Sequence, residues 1–360
     1  MQHVLFGRAG LRVSELCLGS MIFGDPRELG ASSDDSKAVF DRFAEAGGTF
    51  IDTADHYADG ESERLVGQFV GADRDHFVIS TKWSVARNGG VVCSGNSRRN
   101  MVRAVEASLR RLRTDRIDLY SLHVWDFTTP WDEVMRGLDD LVRAGKIVYA
   151  AVSDTPAWEI SRASMMAELR GWSPFVGVQI EYSLGERTAE RDLLPMAAEL
   201  GLGVTAWSPL AGGALSGKYR GANGAAQRGR RDAAALPARL LNIADEVCAI
   251  AQEVGASPAQ IALAWVRART HGSPVVPIIG ARNVTQLEDN LGCLQLRLEP
   301  AMQERLDAVS CIELGFPHDF LRTDYVRRLV HGGEEGSLRP RKPLPHPVAE
   351  IAMSSGVTKK

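Results

Sequence analysis

The chain has 360 residues, 44% of them apolar and 24% charged, enough to bury the core of one large α/β barrel or of two ordinary domains. A net charge of −3 gives no electrostatic reason for nucleic acid or an anionic membrane to be the main partner. There is also no run of about eighteen apolar residues to span a bilayer. Five dispersed cysteines, Cys17, Cys93, Cys248, Cys293 and Cys311, form no C-x-x-C pair, so they suit a reducing compartment and supply no metal framework. With no secretory pattern at the start, the chain reads as cytoplasmic.

Two short apolar runs, Val4 to Phe6 and Leu11 to Val13, flank Gly7-Arg8-Ala9-Gly10 and predict an N-terminal hairpin that lids one end of the fold. From Glu15 onward short apolar strands alternate with amphipathic helical segments. The strands are predicted near Leu16–Gly19, Phe50–Asp55, Phe77–Lys82, Ile117–His123, Ile147–Asp154, Val176–Tyr182, Gly203–Pro209 and Val275–Gly280. Helices are predicted between them at Asp34–Ala46, Ser62–Val70, Arg98–Leu112, Trp131–Ala144, Ala157–Leu169, Glu190–Leu200 and Ser257–Arg269, with a last one near Thr285–Leu291.

Eight strand–helix units unbroken by a linker are the count that closes a (β/α)₈ TIM barrel. One domain over residues 1–331 is therefore expected, followed by an irregular tail over 332–360 rich in Gly, Pro, Ser and basic residues. The doubly wound alternative is disfavoured because Gly19-Ser20-Met21-Ile22-Phe23-Gly24 does not match G-x-G-x-x-G. Ala211 to Leu236, rich in Gly, Ala and Arg, reads as a loop over the site. An extra helix at Ala238–Glu253 and a closing one at Pro300–Val309 complete the pattern.

In such a barrel the carboxyl ends of the strands share one mouth, so residues distant in sequence converge. The stretch Thr49 to Tyr57 begins apolar and ends in Asp52, Asp55, His56 and Tyr57. Strand three ends in Lys82, strand four in His123, strand five in Ser153-Asp154, strand six in Gln179 and Glu181, and strand seven in Trp207-Ser208-Pro209. An Asp, a Tyr, a Lys and a His on neighbouring strands make a connected acid–base set. A buried ammonium beside the tyrosine favours its phenolate and is expected to lower its pKa, and a carboxylate keeps that ammonium charged.

Those residues, in F-I-D-T-A-D-H-Y, S-T-K-W and D-L-Y-S-L-H, resemble the aldo-keto reductase superfamily from about Gly7 to Phe320. The later blocks I-V-Y-A-A-V-S-D, V-Q-I-E-Y-S, W-S-P-L-A-G-G-A-L-S-G-K-Y and I-I-G-A-R-N-V-T-Q-L-E-D-N follow in the family's order. W-D-F-T-T-P-W and L-G-F-P-H-D-F are most similar to the aryl-alcohol-dehydrogenase-like and potassium-channel β-subunit-like branch.

The resemblance implies an NADPH-dependent oxidoreductase that reduces an aldehyde or ketone to the alcohol. Tyr57 would be the general acid as hydride arrives from nicotinamide C4, Lys82 paired to Asp52 would tune it, and His123 would orient the carbonyl. Gly19, Ser20, Met21 and Asp52 would lie at the cofactor, Ser153, Asp154 and Gln179 at its carboxamide, and Trp207 against its ring. Ser208, Pro209, Leu210, Gly212 and Lys218 would line the pyrophosphate, with Arg228 closing over it. Gly280, Arg282, Gln286, Asp289 and Asn290 match the adenosine block, where Arg282 suits a 2′-phosphate. Position 154 departs from the family's usual asparagine: an ionised aspartate accepts hydrogen bonds but cannot donate one.

Phe23, Trp83, Trp125 and the segment around Phe316 to Phe320 are expected as an aromatic substrate wall that would suit a flat aldehyde. The partner implied is a small carbonyl compound; no metal, nucleic acid or membrane is called for, and a homo-oligomer is left open. Two rivals share the same residues. A redox sensor that holds NADP(H) with slow turnover would resemble the channel β-subunits, which look to carry asparagine where this chain has His123. A sugar reductase or dehydrogenase would need a polar pocket.

Overall fold

The computed structural model describes residues 1–334 except 26, 28–29, 87–89, 220–234, 271 and 273. Two antiparallel strands, β1 (His3–Leu5) and β2 (Arg12–Ser14), form the N-terminal hairpin. Eight parallel strands follow: β3 (Cys17–Gly19), β4 (Phe50–Asp52), β5 (Val78–Trp83), β6 (Ile117–Leu122), β7 (Ile147–Ser153), β8 (Phe175–Glu181), β9 (Gly203–Trp207) and β10 (Val275–Ile279). They close into a barrel in sequence order, β10 pairing back onto β3. This is the (β/α)₈ TIM-barrel architecture expected from the repeat.

The helices around it are α1 (Ser33–Glu45), α2 (Glu61–Val70), α3 (Arg98–Leu112), α4 (Trp131–Arg143), α5 (Ala157–Arg170), α6 (Leu193–Leu200), α7 (Ala238–Val254), α8 (Pro258–Arg267), α9 (Val284–Leu291) and α10 (Pro300–Val309). Short helices α11 (His318–Leu321) and α12 (Asp324–Val330) lie beyond it. Four of the ten helices α1–α10 start on a side-chain cap that the sequence supplies. Ser32 caps α1 by accepting from Asp35 N, Ser97 accepts from Asn100 N, and Ser257 with Gln260 forms a capping box ahead of Pro258. Within the described residues no helix is long and apolar enough to cross a membrane. Residues 335–360, most of the predicted tail, lie outside the described residues, as does the greater part of the predicted loop over the site.

The strands are short apolar runs because both faces are covered, one by packed side chains inside the barrel and the other by helices. The hairpin has a specific task at the amino end of the barrel. Phe6, only 1% exposed, drops into a second, smaller core with Val13, Cys17, Phe50, Leu119, Ala151 and Val276. It meets Phe50 edge to face, with ring centroids 5.7 Å apart. Glycines at the starts of β8 and β9 make room: a Cβ on Gly177 would stand 2.2 Å from Phe6 Cε1, and one on Gly203 2.5 Å from Phe6 Cγ. The hairpin is thus a plug at the floor, remote from the mouth.

Register sets the layers above that floor. Gly19 pairs with Asp52 and Asp52 with Ser80, while Ser153 pairs with Gln179 and Glu181 with Trp207. Period-two alternation then aims Lys82 into the barrel and its neighbour Trp83 outward under the helices.

The account of the floor predicts that Phe6→Ala lowers the unfolding free energy by about 3–5 kcal/mol, the usual cost of a large buried cavity. Cofactor affinity at the far mouth should hardly change. Chemical denaturation and a binding titration on the same variant check both halves.

Candidate active site

The strand expected over Phe50–Asp55 ends at Asp52, and the chain then turns tightly. Thr53 N still donates to Ser80 O and Asp55 N to Lys82 O, so the backbone stays tied to β5 as it leaves the sheet. Tyr57 opens a single 3₁₀ turn, Tyr57–Gly60, in which Ala58 (φ 47°) and Asp59 (φ 54°) take left-handed conformations. Strained non-glycine backbone held in place directly after a reactive side chain is typical of a functional turn. It presents the half-buried Tyr57 ring to the mouth.

Below it lies the most deeply buried charge in the protein's mouth. Lys82 is fully buried, and its Nζ donates to Asp52 Oδ2 at 2.6 Å and to Thr53 O at 2.7 Å. Asp52 is itself saturated, because Oδ1 accepts from Ser80 Oγ at 3.1 Å and from Gln179 Nε2, reaching over from β8, at 3.0 Å. Burial alone would push the ammonium toward neutrality, but Asp52, and then Tyr57, more than reverse this, and the Lys82 pKa is raised. Lys82 Nζ lies 5.1 Å from the centre of the Tyr57 ring.

The tyrosine corrects an expectation. Its pKa is raised, not lowered, because burial of the phenol outweighs the attraction of the Lys82 charge. Tyr57 therefore holds its proton at neutral pH and is equipped to give it away. His123 sits with its ring centroid 6.0 Å from that of Tyr57, edge to face. Burial first, then Lys82 and His56, hold its pKa down to about 2, so the imidazole is neutral; its buried Nδ1 has no hydrogen-bond partner among the described residues.

One cavity of about 690 Å³ collects most of the predicted residues. Gly19, Met21, Asp52, Tyr57, His123, Asp154, Gln179, Trp207, Ser208, Pro209, Leu210, Gly212, Lys218, Gly280, Arg282, Gln286, Asp289 and Asn290 all line it. Ser20 and Ser153 are buried just behind the wall: Ser20 Oγ donates to Asp52 O at 3.0 Å, and Ser153 Oγ makes no hydrogen bond of regular geometry. Arg228 lies outside the described residues.

Of the aromatics expected to form a substrate wall, Phe23, Trp83 and Trp125 are buried and do not line this cavity. Trp83 faces the helices and stacks near Tyr120, Trp125 stacks on Trp131 at 4.0 Å, and Phe23 packs near Phe69. Conversely, His56 lines the cavity with its ring 4.9 Å from Tyr57 and 5.0 Å from His123, and Ile22, Gly213 and Ser216 join it. His56 stood in the ionisable cluster of the sequence and could have been nominated; the small and aliphatic residues carry no chemical signal.

The cavity's chemistry fits a nicotinamide dinucleotide. Trp207 offers a flat indole, oriented by donation from Nε1 to Asp154 Oδ1 at 3.0 Å. Lys218 and Arg282 bring two cations to a cavity that also has a helix start: Asn283 caps α9, and Gln286 Oε1 accepts from Arg282 N at 3.0 Å. At Gly280 a Cβ would meet nothing within 4 Å, leaving a smooth open shelf. Gln260 ties the adjacent α8 start to Asp289 at 3.1 Å.

The model of the Aldo/keto reductase family matches residues 15–310. The chain belongs to this family. Among similar proteins, norsolorinic acid reductase of Aspergillus flavus is 36% identical over 331 residues, covering 89% of this chain and 83% of the relative. An uncharacterized oxidoreductase, YrpG, of Bacillus subtilis is 38% identical over 86% of this chain and 96% of its own length. Aryl-alcohol dehydrogenase [NADP(+)] of Phanerodontia chrysosporium is 34% identical over 89% of each chain. The protein is thus an aldo/keto reductase, an NAD(P)H-dependent oxidoreductase family that acts on small carbonyl compounds.

The neutral histidine gives a pH test. An unfolded imidazole titrates near 6.5 and the native one at about 2, so between those values the unfolded state binds the extra proton and stability falls as pH falls. From pH about 7 to about 5 this reaches about 2 kcal/mol. His123→Asn should lose that much less stability over the interval than wild type in denaturant titrations; an equal loss contradicts the assignment.

Proposed function

We propose that this aldo/keto reductase uses NADPH to reduce an aldehyde or ketone, with an aryl carbonyl the favoured class, and that Tyr57 delivers the proton. The observation that carries this reading is the single cluster of a protonated phenol, a buried Lys82–Asp52 pair and a neutral imidazole in one cavity.

A reduced nicotinamide held in this cavity would supply the hydride that the carbonyl carbon takes up, and the chain's own residues handle the proton. Tyr57 donates its phenolic proton to the carbonyl oxygen, which becomes the alcohol hydroxyl, and the resulting phenolate is stabilised by the adjacent Lys82 ammonium. Asp52 holds that ammonium charged and fixed through its own contacts to Ser80 and Gln179. Uncharged His123 is a directional hydrogen-bond partner for the oxygen and adds no competing positive charge. In the reverse direction the phenolate takes the proton back from an alcohol.

NADPH is preferred to NADH on charge grounds. Arg282 at the α9 start presents a planar fork suited to a 2′-phosphate, and Lys218 adds a second cation. The name of the Phanerodontia relative, aryl-alcohol dehydrogenase [NADP(+)], supports the same cofactor and an aryl substrate. Trp207, Met21 and Ile22 give the cavity apolar surface beside Tyr57 and His123.

The test is consumption of NADPH with aromatic, aliphatic and sugar aldehydes, for wild type and Tyr57→Phe. Removing the proton donor should slow turnover by about 10²-fold or more while NADPH still binds within a few fold of wild type. Aromatic aldehydes should be turned over fastest, and NADH should replace NADPH poorly. A Tyr57→Phe enzyme of undiminished rate, or a wild type that binds NADPH and reduces nothing, would sink the reading.

A further inference from the structure

At the reacting end of the cavity the charges do not balance. Lys82 and Asp52 neutralise one another at 2.6 Å. Tyr57 keeps its proton and His123 does not gain one. Among the described residues that line this end of the cavity, the carboxylate left over is that of Asp154; Asp55, 3.7 Å from His56, does not line it. It follows β7 directly, takes a left-handed backbone conformation (φ 39°), and lines the same cavity as Tyr57, His123 and Gln179. Its Oδ1 accepts from Trp207 Nε1, a neutral donor that orients the carboxylate without cancelling its charge. Burial raises the Asp154 pKa, the Trp207 hydrogen bond and the Lys82 charge oppose that rise, and the carboxylate's charge in turn acts on Tyr57.

A nicotinamide held beside Trp207 and Tyr57 therefore meets one net negative charge. Its oxidised ring is a cation and its reduced ring is neutral, so the two forms respond differently to that charge. We infer that Asp154 is a redox-tuning residue: its carboxylate makes the site bind oxidised NADP⁺ more tightly, relative to NADPH, than a neutral side chain would. This rests on the NADP(H) reading above. By linkage, the equilibrium between the two bound forms shifts by the same factor, toward hydride delivery and carbonyl reduction. Tighter retention of the oxidised product accompanies it. The hydrogen bond from Trp207 also fixes the indole plane, so that one side chain sets both the position of that flat surface and the local charge.

The experiment is a pair of fluorescence titrations, with NADP⁺ and with NADPH, on wild type, Asp154→Asn and Trp207→Phe. Asparagine keeps the shape and can still accept from Trp207; it removes the charge and adds an NH₂ donor that the oxidised and reduced forms meet alike, so the ratio of their affinities reads the charge. The ratio of the two dissociation constants should move about tenfold against NADP⁺ in Asp154→Asn, with NADPH affinity changed by less than about threefold. Trp207→Phe removes the hydrogen bond and keeps the charge, so its ratio should match wild type even where both affinities drop. Asp154→Ser, a second neutral replacement, should shift the ratio in the same direction and serves if the asparagine variant fails to fold. An unchanged ratio in the neutral variants, or equal weakening of both forms, overturns the inference and leaves Asp154 a positioning residue. Failure of wild type to bind either form is a different result and removes the NADP(H) reading itself.

Discussion

Everything at the mouth of this barrel depends on one buried ion pair. An ammonium as deeply enclosed as that of Lys82 is sustained only by a partner of opposite charge and a full set of hydrogen bonds. Asp52 and the Thr53 carbonyl provide these at 2.6 and 2.7 Å, and Ser80 and Gln179 complete the shell of the carboxylate. Because the contacts come from β4, β5 and β8, the pair forms only when the barrel is closed. The fold and the reactive geometry are in that sense a single construction, and the strained turn that offers Tyr57 is anchored to the same strand ends.

The electrostatics of the site divide its labour. Burial holds the proton on Tyr57 and keeps it off His123, while Lys82 remains charged. On the proposed reading these three are a proton donor, a cation beside it to receive the negative charge left behind, and a neutral polar group for orientation. No side chain here needs an extreme property of its own; the differences arise from which groups are paired and which are only buried.

Much of this was legible in the sequence, for a physical reason. Each barrel strand is a short apolar run with a polar terminus, and helix starts such as Ser257-Pro258-Ala259-Gln260 announce themselves chemically, so strand and helix order follow from periodicity. The four polar strand-end residues Asp52, Tyr57, Lys82 and His123 stood out because charged groups at the ends of buried strands are expensive to leave unpaired. The direction in which Trp83 and Trp125 face carries no such signal, because a tryptophan has the same composition whether it faces a cavity or a helix. Only alternation along β5, with Lys82 inward, shows that Trp83 must face outward. The direction of the Tyr57 shift was also out of reach, since it depends on a contest between burial and a neighbouring charge that needs coordinates. His56 was visible as a residue but not as a neighbour of both Tyr57 and His123.

The central claim is that the Lys82 ammonium acts on the reaction through Tyr57 and that Asp52 exists to hold it. It is tested most directly by comparing Lys82→Met with the double variant Asp52→Asn, Lys82→Met, measuring both stability and turnover. The single variant strands a buried carboxylate and should lose about 3–5 kcal/mol of stability, much of which the double variant regains. Turnover should fall by about 10²-fold or more in both, with the double variant no faster than the single. A double variant that recovers both stability and rate would show the pair to be scaffolding alone and would contradict the account.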